Sequence, residues 1–418
     1  MTARKHLKQL VRDRMRKTGE RYTVARRHVV ATAGDTPRGW ELRGGLHADT
    51  AAFSNVLANL GVVAPHSGEP LSEAMVLGVG GGLGAGYILW EFEQHDHPAL
   101  VLGFQRQWQY PARWAAEAAE RLGLNAEIHE TGGAKGAAAA LDTQLERGLP
   151  AIVWIDDERL GHRHEPAWRN GHGGPPIVVY AREGDRYAID DRSSGRLTVS
   201  AERLAEARGR VVSYKNRLIT IDPELVDLDA DRLRAAVEDG LRLQVEHLSA
   251  RSDSFSLPAW RKWARMTTDT RNKKGWPVVF ADGRGIASMV ASIYTNAGGG
   301  RHLRGLYADF LEEAADLLSR PSLGEAAAAW RSAADAWEPI VDAALPPGDE
   351  LRELIDRTAA AVAQGDAAAE EAAAAAAARW ELQARRDEAG EVPELGELVL
   401  VMYEAERAAL ASVASSLD

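Results

Sequence analysis

The spacing of apolar residues changes near residue 225, and this change limits the folds that the chain can adopt. Between residues 44 and 222, short segments rich in Val, Ile and Tyr are mixed with segments of helical periodicity, without strict strand–helix alternation. From about Leu225 onward, apolar residues recur almost only at helical intervals. The sequence therefore predicts an α+β domain followed by an all-helical domain, because a doubly wound sheet needs regular alternation of strands and helices.

The length and the charge distribution predict three segments. A chain of 418 residues is long enough for two to three domains, and we predict a basic helical arm over 1–32, an α+β domain over 36–222 and a helical domain over 225–418. Residues 1–30 hold ten Lys or Arg and two acidic side chains, although the whole chain has a net charge of −11. The arm either contacts an acidic partner, such as nucleic acid or an acyl carrier protein, or docks on the chain's own acidic body.

Composition excludes several classes of protein. The chain contains no Cys, which rules out disulfides, Cys-ligated zinc, iron–sulfur clusters and a cysteine nucleophile. No apolar run reaches the roughly 18 residues of a membrane span, and the N-terminus is polar and basic. We therefore expect a cytoplasmic protein without membrane contact and without a cofactor, and the sequence leaves homo-oligomerisation open.

Local patterns place the secondary structure. In the first part, strands are predicted over residues 99–104, 151–155, 177–180, 187–189 and 211–221, and helices over 51–60, 71–77, 112–122 and 136–146. In the second part, helices are predicted over 233–248, 303–318, 323–344, 351–388 and 395–417. The Ala- and Glu-rich run at 367–378 predicts a long exposed helix, because both residues are strong helix formers.

The glycine-rich run at 78–86 has two interpretations. Gly80, Gly82 and Ala85 satisfy a relaxed dinucleotide-binding pattern. That site needs a strand before the glycines and a helix after them, whereas here the helical pattern precedes and the strand pattern follows. We therefore favour a tight turn in which backbone packs on backbone.

Clustered histidines and clustered tryptophans each allow a functional and a structural interpretation. The clustered histidines are His95, His97 (with Glu91 and Glu93 nearby), His162, His164 and the separate His172. They could ligate a metal, but no H-E-x-x-H helix is present, so we favour surface histidines and expect no metal. Trp260–Trp263 and 271–277 interleave aromatic and cationic residues, which suits either nucleic-acid stacking or, as we favour, core packing.

Several segments, taken in order, resemble one family. They are Gly44–Gly61, Leu71-Ser72-Glu73, the Gly78–Tyr87 loop, Pro150–Asp157 and Ile177–Arg192. Together they resemble the N-terminal domain of the butirosin biosynthesis protein BtrH, and the helical part resembles the domain that commonly follows it, for a coverage of about 36–345. The resemblance implies a papain-like, C39-peptidase-like fold. It also implies an acyltransferase activity, in which an acyl group moves from a carrier-protein thioester to an aminoglycoside amine.

The resemblance also implies a site with a Cys at a helix N-terminus, a His before a strand and an orienting acid. Here the first position reads His47-Ala48-Asp49, so the nucleophile is lost at Ala48. The His position falls at Pro175 or Pro176, although His172 is near enough in sequence to serve instead. The acid is Asp190 or Asp191, which an extended chain places on opposite faces. Asp49 or Thr50 is also expected to cap the helix that begins here.

Three hypotheses of function follow. The first is a thiol-free enzyme acting on acyl or amide groups, with His47 or His172 as base, Asp190 or Asp191 orienting it, and Glu73 as accessory acid. A small amine or an acyl carrier protein would be its partner. The second is a pseudoenzyme that binds a ligand, a carrier or a partner enzyme without turnover. The third, which we favour least, is a nucleic-acid-binding protein led by the basic arm.

Overall fold

The computed structural model describes residues 39–90 and 98–417. Three features named in the sequence analysis lie outside these residues. They are the predicted basic arm over 1–32, the start of the predicted α+β domain at residue 36, and the pair His95 and His97 with its neighbours Glu91 and Glu93. The described residues from Glu41 onward belong to one compact unit. The predicted boundary between the two larger domains falls at a short 3-10 turn, Pro223–Leu225.

Antiparallel strands build the first part of the compact unit. The strands are β1 (Leu83–Trp90), β2 (Ala99–Gln105), β3 (Asn125–His129), β4 (Ala151–Trp154), β5 (Pro176–Glu183), β6 (Arg186–Asp190), β7 (Leu197–Ser200) and β8 (Leu218–Asp222). β1 and β2 form a two-stranded ribbon, and the others form a sheet in the order β3-β8-β4-β5-β6-β7. The predicted strand over 211–221 is wrong in its first half, because Lys215 and Asn216 both take left-handed backbone angles and make a turn there.

Helices alternate irregularly with these strands and then follow them without interruption. The helices of the first part are α1 (Ala48–Leu60), α2 (Glu73–Val79), α3 (Pro111–Arg121), α4 (Ala134–Glu146), α5 (Asp157–Leu160) and α6 (Ala201–Arg210). Those of the second part are α7 (Ala230–Ser249), α8 (Pro258–Met266), α9 (Trp276–Val279), α10 (Ile286–Leu318), α11 (Ser322–Asp335), α12 (Glu338–Ala344), α13 (Glu350–Ala363), α14 (Ala369–Arg386) and α15 (Gly396–Ser415). The predicted class, α+β followed by an all-helical region, is confirmed.

The two faces of the six-stranded sheet are covered by different helices. Side chains such as Val153, Val179 and Ile189 point to one face and pack with Leu141 of α4 and Leu204 of α6. The alternate residues point to the other face, where α1 packs against β5. This second face includes the buried Asp190, which lies opposite Val178 in the ladder. The sheet therefore separates consecutive residues at the end of β6.

The tryptophans of the helical part are core residues, as the favoured interpretation predicted. Trp260, Trp263 and Trp337 are fully buried and their rings contact one another. They surround a buried ion pair, in which the Arg304 Nε donates to a Glu406 oxygen at 2.7 Å. Trp260 and Trp337 also donate hydrogen bonds from Nε1 to this carboxylate, each at 2.9 Å. Arg304 further donates to the Gly84 carbonyl of β1, so the pair fixes the helices to the ribbon.

The glycine-rich run forms a turn between α2 and β1. Gly81 and Gly82 take φ values of 95° and 68°, which favour glycine. Gly78 lies against the Phe310 ring so closely that a Cβ atom at this position would overlap it. Helix precedes and strand follows the turn, which is the reverse of a dinucleotide site.

The Ala-rich run is not the exposed helix that the sequence predicts. A 3-10 turn at Gly365–Ala368 interrupts it before α14 begins. Ala372, Ala375 and Ala376 are buried, because their small side chains let α14 pack closely on its neighbours. In the described part of the chain, no helix combines the length and apolarity needed to cross a membrane.

Candidate functional site

The N-terminus of α1 is held by a carboxylate from α2. The Glu73 side chain accepts hydrogen bonds from the backbone N–H of Leu46 at 3.0 Å and of His47 at 2.9 Å. It also accepts one from the Thr50 hydroxyl at 2.8 Å. The expected capping by Asp49 or Thr50 is therefore wrong, because both residues lie inside the first turn, and a residue distant in sequence takes this part.

Ala48 is the first residue of α1 and stands where the resemblance places a nucleophile. Its methyl group is 8% exposed. A helix N-terminus stabilises a negative charge, as a thiolate would carry. The position therefore keeps the electrostatic setting of a nucleophile but lacks the nucleophilic atom.

His47 and Asp49 flank Ala48, with His47 Nε2 lying 3.9 Å from an Asp49 carboxylate oxygen. Burial, and to a lesser degree the charge of Arg192, lowers the pKa of His47 to about 3. Burial raises the pKa of Asp49 to about 7 against the opposing effect of Arg192. His47 Nδ1 and Asp49 Oδ1 are both buried without a hydrogen-bond partner. At neutral pH this is a neutral imidazole beside a carboxyl group near its titration point.

The paired acids at the end of β6 have different hydrogen-bond partners, and Asp191 lies just beyond the last residue of the strand. Asp190 accepts from the Asn55 side chain of α1 at 3.4 Å and from the backbone N–H of Arg192 at 2.9 Å. Asp191 instead contacts the loop after α5. Asp190 is therefore the acid that shares a face with α1 and Ala48.

The partners of Asp191 are residues to which no sequence pattern points. His162 Nε2 lies 2.7 Å from the Asp191 carboxylate, and Arg163 donates to both carboxylate oxygens, at 2.8 and 2.7 Å. Burial alone would raise the pKa of Asp191, but Arg163 and the His162 hydrogen bond outweigh it and hold that pKa far below its ordinary value. The sequence marked His162 only as a metal candidate, and the described residues contain no group of three or more His, Cys, Asp or Glu suited to a metal.

The position that the resemblance gives to the catalytic histidine is occupied by proline. β5 begins at Pro176, which is buried and pairs with Trp154 of β4. His172 lies in the loop before it, and its ring centroid is 6.3 Å from that of Trp168. Asp157, on the opposite side of this loop, has a raised pKa because it is buried.

Of the predicted site residues, the described contacts join Glu73 to His47 and bring His47 close to Asp49. Arg192 acts electrostatically on both His47 and Asp49 and contacts Asp191 at 3.5 Å, so it links the α1 terminus to the end of β6. Asp190 joins the same helix through Asn55.

These features define an α+β protein whose candidate site lies where the N-terminus of a buried helix meets the end of an antiparallel strand. Residues 47–192 match the family described as butirosin biosynthesis protein H, N-terminal, and this segment is a member of that family. The match covers about a third of the chain and contains every candidate site residue described above. No curated protein matches the chain.

Proposed function

We propose that this protein is a binding protein of a biosynthetic acyl-transfer reaction. It holds an acyl donor, the carrier of that donor or a partner enzyme, and it forms no acyl-enzyme itself. The observation that supports this most directly is the presence of Ala48 at the nucleophile position and of Pro175 or Pro176 at the histidine position that the resemblance implies. Covalent acyl transfer needs a nucleophilic atom at the first position and a base at the second. A methyl group and a pyrrolidine ring supply neither.

The remaining polar groups suit binding. His47 Nδ1 and Asp49 Oδ1 are buried beside Ala48 and have unused hydrogen-bonding capacity. Leaving such atoms without partners costs roughly 1–3 kcal/mol each, so a ligand that pairs with them gains affinity. A thioester or amide, with its carbonyl oxygen and neighbouring N–H groups, offers the complementary atoms.

A second candidate, direct base catalysis, is favoured by the state of Asp49. A carboxyl group with a pKa of about 7 can accept a proton at neutral pH. In this route an amine attacks the thioester carbonyl and its proton passes to the Asp49 carboxylate; the C–S bond then breaks, and the leaving thiolate takes that proton back from Asp49. The candidate needs no covalent intermediate and no residue at position 48. Asp49 alone would act as the base, with His47 beside it as a neutral hydrogen-bonding group.

Intact-mass spectrometry with an acyl-pantetheine thioester and a panel of amines tests both candidates. We expect no amide product from the wild-type protein and an acyl adduct on the Ala48→Cys variant, because the thiol would stand at the first residue of α1, where the helix N-terminus stabilises a thiolate. Ala52→Cys is the matched control, since it places a thiol in the buried part of the same helix, where we expect no adduct.

The other outcomes separate the candidates. Amide product from the wild-type protein that is lost in Asp49→Asn would support direct base catalysis and contradict the binding proposal. An absence of adduct on Ala48→Cys, together with no saturable binding of the thioester by the wild-type protein, would contradict both. The nucleic-acid hypothesis depends on residues 1–32, which lie outside the described residues, and it predicts binding that weakens steeply with salt.

A further inference from the structure

A cleft of about 300 Å³ opens beside the edge of the six-stranded sheet, away from Ala48. Its walls come from three places: the turn at 160–164 after α5, strand β7 with the first turn of α6, and the α13–α14 pair. Its volume is at the lower end of the range for small-molecule sites, about 300–1,000 Å³. The proposed function uses none of this space.

The cleft is lined by more positive than negative groups. Arg186, Arg203 and the two histidines His162 and His164 line it, against one carboxylate, Asp366. That carboxylate is already engaged, because it accepts from the Thr198 backbone N–H at 3.1 Å and from its hydroxyl at 2.8 Å. Arg186 also binds Thr198, because its Nη2 donates to the Thr198 carbonyl at 2.9 Å.

Arg203 is exposed and differs from Arg186 in the contacts of its guanidinium group. Within the described residues its guanidinium makes no hydrogen bond or ion pair with a protein acceptor, although it lines the cleft. It lies directly over Gly161, where a Cβ atom would overlap its Nη1. The absence of a side chain at position 161 therefore makes room for this guanidinium at the cleft wall.

The turn beneath Arg203 is held in an unusual conformation. His164 has a φ of 54°, in the left-handed region that non-glycine residues rarely adopt. Its carbonyl accepts a hydrogen bond from Trp380 Nε1 of α14 at 3.1 Å. Burial, together with His162 and Arg203, lowers the pKa of His164, so at neutral pH it offers a neutral hydrogen-bonding group beside the Arg203 charge.

Several of the other lining residues are apolar. Leu160, Leu197, Val199 and Ala372 are buried side chains that reach the cleft. We propose that this cleft binds a small organic carboxylate, with its anionic group on Arg203 and His164 and its aliphatic or aromatic body on the apolar wall. A charge-assisted hydrogen bond to guanidinium positions the carboxylate, and the apolar contacts add affinity in proportion to the area buried.

Calorimetric titration of the full chain with octanoate tests the proposal. We expect saturable binding that weakens about tenfold or more for octanamide, which keeps the apolar body but lacks the charge. Arg203→Gln should cause a similar loss for octanoate. Ala369→Phe, at an exposed position of the cleft wall, should block binding by filling the space, and because this position is exposed we expect the variant to fold.

Arg234→Gln is the matched control, because Arg234 is exposed on α7 and does not line the cleft. We expect octanoate binding to this variant to equal that of the wild-type protein. Equal affinity for octanoate and octanamide would overturn the proposal, as would an unchanged affinity in both Arg203→Gln and Ala369→Phe. Inorganic phosphate that binds as tightly as octanoate would also overturn it, since the site would then select anions alone. None of these outcomes depends on the reaction at Ala48.

Discussion

Replacing Asp49 by Asn should stabilise the protein increasingly as the pH rises. Burial raises the pKa of Asp49 to about 7, compared with 3.8 for an ordinary Asp. The folded chain therefore holds a proton that the unfolded chain releases between about pH 4 and pH 7, and stability falls as the pH rises through this window. The raised pKa of Asp49 costs about 2 kcal/mol of stability at pH 5 and about 4 kcal/mol at pH 8, while Asn carries no such cost.

The pKa shift of His47 changes stability with pH in the direction opposite to that of Asp49, so the two pH dependences partly cancel in the wild-type protein. The pKa of His47 is lowered to about 3 from 6.5, so the folded chain binds fewer protons than the unfolded chain between these values. Stability is then lost as the pH falls through the window, whereas Asp49 removes stability as the pH rises. Asp49→Asn should therefore uncover a stability that increases from about pH 4 to pH 6.5.

Urea unfolding followed by tryptophan fluorescence, at about pH 5 and about pH 8 and constant ionic strength, measures this effect. We expect the gain in unfolding free energy of Asp49→Asn over the wild-type protein to be about 2–3 kcal/mol larger at the higher pH. Glu246→Gln, which removes one negative charge from an exposed position on α7, reports the effect of net charge alone. A difference between Asp49→Asn and wild type that is the same at both pH values would refute the argument from burial.

Two further predictions concern buried carboxylates. Glu406→Ala leaves the fully buried Arg304 without its ion-pair partner, and we expect it to lower the free energy of unfolding in urea by about 3–5 kcal/mol. The control is Glu404→Ala on the exposed side of the same helix, which should change that free energy by less than about 0.5 kcal/mol. Asp191→Asn removes the anion bound by Arg163 and should cost a similar amount, about 3–5 kcal/mol at neutral pH. Because the pKa of Asp191 is held below its ordinary value, the stability gap to the wild-type protein should narrow below about pH 4, and a gap that stays constant in acid would contradict the assignment.

Features that depend on local periodicity could be predicted from the sequence. The change of pattern near residue 225 predicted the α+β and helical parts, and helix-then-strand spacing around Gly80 predicted a turn instead of a nucleotide site. Two strands were missed for a physical reason. β3 lies at the edge of the sheet and exposes Glu127, Ile128 and His129, so it has little apolar alternation, and β7 is only four residues long.

The site was predictable only in part, because its contacts join residues that are distant in sequence. Strand alternation predicts that Asp190 and Asp191 point to opposite faces, and this stays a prediction because Asp191 lies beyond the end of β6. No sequence pattern indicated that His162, separated from Asp191 by 29 positions, would be its partner. The support of α1 by Glu73, 26 positions from His47, was equally invisible, since local capping rules favoured Asp49 or Thr50.

The contacts that hold α1 in place do not depend on the side chain at position 48. Glu73 satisfies the N–H groups of Leu46 and His47 with its carboxylate, and Asn55 of the same helix donates to the Gly44 carbonyl at 2.9 Å. Neither contact involves the side chain of Ala48. A nucleophile could therefore be lost at this position with little cost in stability, and a Cys restored there should enter the same backbone frame. For this reason acylation of Ala48→Cys tests the chemical setting of position 48 rather than the ability of the variant to fold.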